Sequence, residues 1–318
     1  MALAKSAWNQ RVAHYLVTGG CGFIGSHLAD ALVGAGHRVR VLDDLSTGRR
    51  ANMPAPCELI VGDVGDRATV RNAMAGVEGC FHLAAIASVT LCDRDWPGTH
   101  RVNLGGTINV FDAARDAGGA PVPVVYASSA AVYGTPAETP LTEASPTRPI
   151  SAYGADKLGC ELHGRVAGTI HGVPTVGLRL FNIYGPRQDS ASPYSGVVAN
   201  FLARARTGTP ITIYGAGAQL RDFVYVADAV RFLRGAMAHA RREAAVFNVC
   251  SGRPTAIRAL AEAVVELVGR AVEIRHAPAR PGDIEISIGD PGRAAEALGL
   301  HTEIDLARGL AHTLVGLG

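Results

Sequence analysis

The run TGGCGFIG at 18–25 constrains the fold more than any other stretch of the chain. It follows an apolar run, His14–Thr18, and opens an amphipathic stretch at about 24–35. Gly19, Gly22 and Gly25 recur at three-residue intervals. Without side chains the backbone can turn sharply there and come within hydrogen-bonding distance of a pyrophosphate. The N-terminus of the helix that follows then offers unsatisfied N–H groups and a positive dipole end. A strand before and a helix after is the setting in which such glycines bind dinucleotides.

The first half of the chain repeats this alternation. Short apolar runs at 38–43, 58–63, 80–85 and 123–128 read as strands, with helices around 66–75 and 99–117 between them. Such a pattern predicts βαβ units and an α/β fold of the Rossmann type, a doubly wound parallel sheet buried on both faces. Further strands are expected at 175–181 and 245–250. After about 180, Gly/Pro-containing loops at 184–196, 207–217 and 277–283 predict a smaller C-terminal α/β lobe. The expected division is a dinucleotide-binding domain at 13–180, rejoined by the strand near 245–250, and a mainly substrate-binding lobe at 181–318.

Composition narrows the class. Apolar residues make up 48% of the 318 and charged residues 18%, enough for a sizeable core and too apolar for disorder. A net charge of +2 gives no electrostatic grip on nucleic acid or anionic lipid, so neither is expected as a partner. No stretch approaches the ~20 apolar residues of a membrane span, and the start MALAKSAWNQRVAH has no apolar run resembling a signal peptide. Cys21, Cys57, Cys80, Cys92, Cys160 and Cys250 form no C-x-x-C pair, which predicts reduced core thiols, a cytoplasmic setting and no metal site.

The chemistry is concentrated at strand ends. The second strand closes on Asp43-Asp44, where a carboxylate accepts from ribose hydroxyls and repels a 2′-phosphate, favouring NAD over NADP. The alternative is that Asp43 only caps its loop. Asp63 ends the third strand within reach of an adenine amino group. Tyr153 and Lys157 stand four apart, on one face of a predicted helix. A neighbouring ammonium stabilises a phenolate. Of the 30 basic residues only Lys5 and Lys157 are lysines, which sets Lys157 apart in an arginine-rich chain. Ser129 ends the fifth strand and can hydrogen-bond the same substrate hydroxyl as Tyr153.

With these residues in view the chain resembles the extended short-chain dehydrogenase/reductase family, most of all its nucleotide-sugar 4-epimerases. The motifs that carry the resemblance are TGGCGFIGSHL at 18–28, DDLSTG at 43–48, GDV at 62–64, HLAA at 82–85 and NLGGTINVFDAA at 103–114. They continue with SSAAVYG at 128–134, YGADK at 153–157, LRLFNIYGPRQ at 178–188, RDFVYVADAV at 221–230 and RPGD at 280–283.

The resemblance implies NAD with its pyrophosphate over Gly19, Gly22, Phe23, Ile24 and Gly25, and its adenosine at Asp43, Asp44, Asp63 and Val64. Leu83, Ala84 and Ala85 would line its middle with Asn103 nearby, Tyr153 and Lys157 would bond the nicotinamide ribose, and Phe181 would lie by the nicotinamide. Some close epimerases carry a lysine where this chain has Ala87. Catalysis would fall to Ser129, Tyr153 and Lys157. Ser129 and Tyr153 would touch the sugar, and Asn182, Tyr214, Arg221, Arg280 and Asp283 would hold a UDP-sugar, the two arginines as a diphosphate clamp. The bland alternative for this group is two surface ion pairs, Arg221–Asp222 and Arg280–Asp283.

Related dehydratases and decarboxylases carry acids directly before Val-Tyr-Gly, where this chain has Ala130-Ala131, which leaves hydride and proton transfer at one carbon. The implied reaction is C4 epimerisation of UDP-glucose and UDP-galactose. Ser287, where hexose-restricted relatives have tyrosine, extends it to UDP-GlcNAc and UDP-GalNAc. A UDP-glucuronate 4-epimerase, a 4-keto reductase and a non-catalytic NAD-binding relative are the alternatives. Relatives also imply a homodimer through helices near 97–117 and 151–171.

Overall fold

The computed structural model describes residues 11–189, 196–280 and 282–317. Lys5, Pro281 of the RPGD motif and residues 190–195 of the expected loop at 184–196 lie outside them.

The first half builds strands β1 (His14–Thr18), β2 (Arg38–Asp43), β3 (Glu58–Val61), β4 (Gly79–His82), β5 (Val124–Ser129) and β6 (Thr175–Leu180). Helices α1 (Phe23–Gly34), α2 (Arg67–Met74), α3 (Val89–Arg94), α4 (Trp96–His100), α5 (Gly106–Arg115) and α6 (Ala152–His171) connect them. The second half adds β7 (Asn182–Tyr184), α7 (Val197–Thr207), β8 (Ile211–Tyr214), β9 (Leu220–Tyr225), α8 (Val226–His239) and β10 (Ala245–Val249). It closes with β11 (Pro254–Ala256), α9 (Ile257–Val268), β12 (Ile274–Ala277), β13 (Ile286–Ser287), α10 (Gly292–Leu298) and α11 (Leu306–Val315).

A 7-stranded sheet in the order β10-β6-β5-β4-β1-β2-β3 forms the centre, parallel throughout, in a Rossmann arrangement. Its strands are rich in β-branched residues because both faces are covered. One face packs Leu28, Leu32, Phe232 and Leu233 of α1 and α8 against Val17, Val41 and Phe247. The other packs Val70, Val110, Phe111 and Cys160 of α2, α5 and α6 against Leu16, Val124 and Tyr126. The smaller lobe has its own core, in which Phe201, Leu202, Ile211, Ile213, Phe223 and Leu260 meet.

Two sequence expectations are corrected. The helix read at 99–117 is interrupted: α4 passes through a π-turn, Arg101–Gly105, into α5. The strand read at 80–85 stops at His82: the Leu83 N–H still reaches the Thr18 carbonyl at 3.1 Å, but the Ala84 N–H turns to the Thr18 hydroxyl at 3.2 Å.

Candidate active site

Strand order reverses between β1 and β4, and connections leave those carboxyl ends in opposite directions. A cleft of about 480 Å³ opens there, lined from Gly19 across to Gly196. Its floor is the turn from β1 to α1. Gly19 adopts φ +70°, and a β-carbon there would sit 2.8 Å from the Ala84 nitrogen. A β-carbon on Gly25 would strike the Gly19 carbonyl oxygen. Among the described residues no side chain caps α1, which leaves its first-turn amides for a ligand. This bare cradle, with Phe23 and Ile24 beside it, fits a pyrophosphate.

Asp43, Asp44, Asp63 and Val64 line one end of the cleft. Asp43 also serves its loop: Oδ2 accepts from the Cys21 N–H and Oδ1 from the Leu45 N–H, both at 2.9 Å. The capping role weighed from sequence is therefore present, and each oxygen keeps a lone pair for a hydroxyl. Asp63 accepts from the Gly65 N–H at 2.7 Å and from Arg101 Nη2 at 2.6 Å.

A buried chain of hydrogen bonds shapes the middle of the cleft, at Leu83, Ala84 and Ala85. The Thr107 hydroxyl donates to the Asn103 carbonyl at 2.7 Å, so it accepts from His82 Nε2–H at 3.0 Å. His82 Nδ1 is left to accept from the Thr18 hydroxyl at 2.7 Å. Burial first and Lys157 second push the His82 pKa down to about 3, so the imidazole is neutral. Asn103 does not line the cleft. It is buried behind it, where its side-chain amide grips Ile86 through both the N–H and the carbonyl, at 2.8 and 3.2 Å.

Ser129, Tyr153 and Lys157 meet at the other end of the cleft. Ser151 caps α6 by accepting from the Gly154 N–H at 3.1 Å, which sets Tyr153 in the first turn. One turn on, Lys157 is buried, with Nζ donating to the Ala127 carbonyl at 2.9 Å and lying 5.8 Å from the Tyr153 ring centroid. The Ser129 oxygen accepts from the Ala131 N–H at 3.1 Å, so its hydroxyl hydrogen is free to donate. Behind this trio, Glu161 and Arg179 form a buried bidentate pair at 2.7 and 2.8 Å, and Ser128 donates to Glu161 at 2.5 Å.

Phe181 and Asn182 continue the cleft wall towards the smaller lobe. Tyr214, Arg221, Arg280, Asp283 and Ser287 stand in that lobe and do not line the cleft itself. Neither ion pair weighed from sequence forms. Arg221 pairs with Asp283 at 2.7 Å, and the Arg280 guanidinium stacks 3.8 Å from the Tyr214 ring centroid. Neighbours along a strand point to opposite faces, so Asp222 turns away from Arg221. It is buried, accepting from the amides of Ser251, Gly252 and Gly289. Ser287 pairs with Arg221 on β9, and Asn182 with Phe223 two residues along. Alternation places Ser287, Arg221 and Asn182 on one face of this small sheet.

Sequence reasoning missed Ser46, Thr47, Ile86 and Gln188, which also line the cleft. The first three sit in or beside motifs that were recognised. Gln188 ends the LRLFNIYGPRQ motif, and its bond to the Ile183 carbonyl at 3.4 Å depends on a turn whose path no periodicity marks.

Residues 15–250 match the model of the NAD dependent epimerase/dehydratase family. The chain belongs to that family. Across the family's sequences, it is similar to a UDP-glucose 4-epimerase of Mycolicibacterium smegmatis, 38% identical over 94% of this chain and 96% of the relative. Among solved structures, the UDP-glucose 4-epimerase of Thermotoga maritima with UDP-glucose superposes with a TM-score of 0.91 at 33% identity, covering 96% of this chain and 98% of that one. The UDP-N-acetylglucosamine 4-epimerase of Methanobrevibacter ruminantium also reaches a TM-score of 0.91, at 31% identity over 97% of this chain and 99% of that one. The family's cofactor is NAD, and the glycine cradle and acidic end of the cleft fit it.

Proposed function

We propose that this enzyme interconverts UDP-hexoses at C4, UDP-glucose with UDP-galactose and UDP-GlcNAc with UDP-GalNAc, through a transient 4-keto sugar. The observation that carries the reading is the meeting of Ser129, Tyr153 and Lys157 at one end of the cleft, with alanines following the serine. NAD, when bound, supplies the hydride acceptor and donor for C4. Tyr153 Oη takes the proton of the C4 hydroxyl and gives it back when the hydroxyl is restored. Ser129 donates a hydrogen bond to the same oxygen. Lys157, fixed on the Ala127 carbonyl, orients the ribose and stabilises negative charge nearby. With Ala130 and Ala131 in place of acids, no proton donor stands there to expel water from the neighbouring carbon.

The UDP end rests on Asn182, Tyr214, Arg221, Arg280 and Asp283, two guanidiniums suiting a diphosphate. The likeness to both a UDP-glucose and a UDP-N-acetylglucosamine 4-epimerase supports the breadth of the sugar site. Ser287 shares a sheet face with Asn182, and a serine is smaller than a tyrosine by about a phenol ring, the size an acetamido group takes. A homodimer is part of the same proposal. Leu162, Val166 and Ile170 recur every four residues on α6 and are exposed, as is Ile108 on α5, an unburied apolar stripe that a second copy would cover.

The test is incubation of purified protein with single UDP-sugars, without added reductant, read by NMR for C4 epimers. Both pairs should equilibrate, and Ser287→Tyr should lose the N-acetyl pair while keeping the hexose pair. No epimer from any UDP-hexose refutes the reaction. An unchanged ratio of kcat/KM for the two pairs in Ser287→Tyr removes Ser287 from the sugar pocket.

A further inference from the structure

Three carboxylates, Asp43, Asp44 and Asp63, line one end of a cleft whose ligand carries an anionic pyrophosphate. Among the described residues only Asp63 is neutralised by a guanidinium in the hydrogen-bond network around the cleft, and the guanidinium comes from another layer of the fold. Arg101 opens the π-turn that interrupts the helix between α4 and α5, and the next residue, Val102, lines the cleft. The widened turn shifts the faces of the two helical segments relative to each other. Arg101 there reaches Asp63, with Nη2 at 2.6 Å from Oδ2. Its other terminal nitrogen lies so close over Gly65 that a β-carbon on that residue would strike it.

The consequence for Asp63 is a fixed carboxylate. Oδ1 is held by the Gly65 N–H and Oδ2 by the guanidinium, so neither torsion is free. The two side chains are 59% and 34% exposed, so the pair itself adds little to the stability of the fold. What it changes is local. A carboxylate already oriented loses less entropy when it accepts from an amino group, and its charge no longer repels an incoming dinucleotide.

We propose that Arg101 is a positioning residue for the adenosine half of NAD: it orients and neutralises Asp63 and thereby slows release of the cofactor. The proposal rests on the family's cofactor and not on the sugar or the reaction.

The test uses Arg101→Gln and Arg101→Lys. NAD release from the holoenzyme is followed into an excess of a trapping dehydrogenase. Dissociation constants of ADP and of nicotinamide mononucleotide are measured by calorimetry on protein stripped of cofactor. Arg101→Gln should release NAD about three- to fivefold faster and weaken ADP by a similar factor. Nicotinamide mononucleotide should be unaffected, and Arg101→Lys should recover part of the loss at low salt and none at high salt. Unchanged release and ADP affinity, or equal weakening of ADP and nicotinamide mononucleotide, overturns the proposal. Loss of epimerisation in wild-type protein would leave these binding readouts intact, so the two readings fail separately.

Discussion

Breaking the buried Glu161–Arg179 pair is the sharpest test of how the active-site trio is held. The two side chains are 7% exposed each, and the pair ties α6 to β6 one turn beyond Lys157. Arg179→Met leaves the Glu161 carboxylate with Ser128 as its only hydrogen-bond donor among the described residues. Glu161→Leu leaves the guanidinium with the Tyr133 hydroxyl at 2.9 Å and the Glu143 carbonyl at 3.2 Å. Each single change strands a buried charge and should cost about 3–5 kcal/mol.

The double variant strands none. It leaves the Ser128 hydroxyl without its acceptor and the Glu143 carbonyl without the guanidinium, about 1–3 kcal/mol each, while the Tyr133 hydroxyl still donates to Asn248 Oδ1 at 2.6 Å. Loss in the double variant should therefore fall well short of the sum of the singles, with a coupling energy of about 3 kcal/mol or more. Equilibrium urea unfolding of the four proteins at one protein concentration measures it. Additivity within about 0.5 kcal/mol would refute the reasoning, because it would mean that neither charge depends on the other.

Two further outcomes follow from the site. Since the unfolded chain protonates histidine near 6.5 and folded His82 only at about 3, acid favours the unfolded state across that window. His82 alone should remove about 1.4 kcal/mol of stability per pH unit below 6.5. Unfolding free energies between pH 7.5 and 5 should fall less steeply in His82→Asn, and equal slopes would clear His82 as the cause. Tyr153→Phe keeps the ring and removes the proton acceptor, so turnover should drop about 10²–10⁴-fold with nearly unchanged UDP-sugar affinity by calorimetry. Wild-type turnover in that variant would take Tyr153 out of the proton transfer.

The central sheet was legible because strands buried on both faces must be continuously apolar, and because helices separate them. The cleft's floor was legible for a related reason: glycines every three residues between a strand and a helix have few other uses. What escaped reading is set by geometry across the chain. A run such as 99–117 keeps a helical pattern through a π-turn, since one widened turn barely disturbs apolar spacing. Arg221 stands next to Asp222 in sequence, yet strand alternation sends them to opposite faces, and the partner of Arg221 is Asp283 from a distant loop. Arg280, three residues before Asp283, stacks on Tyr214 instead. Asn103 matches a motif, but its amide is spent on Ile86. The Glu161–Arg179 pair joins a helix to the next strand, and nothing in either local pattern pairs them.

The return of β10 to the central sheet bears on how the chain is made. As the protein emerges from the ribosome, the cradle of glycines, Tyr153 and Lys157 are all present once β6 is complete. The outer edge of β6 then has no neighbour until β7, α7, β8, β9 and α8 have followed and β10 arrives. For that interval β6 offers a row of unpaired N–H and C=O groups, a template for a second nascent chain. The smaller lobe is thus an interruption in the building of the larger one. A fragment cut at 180 would carry most of the cleft's residues and still expose a bare strand edge where Phe247 and its neighbours belong.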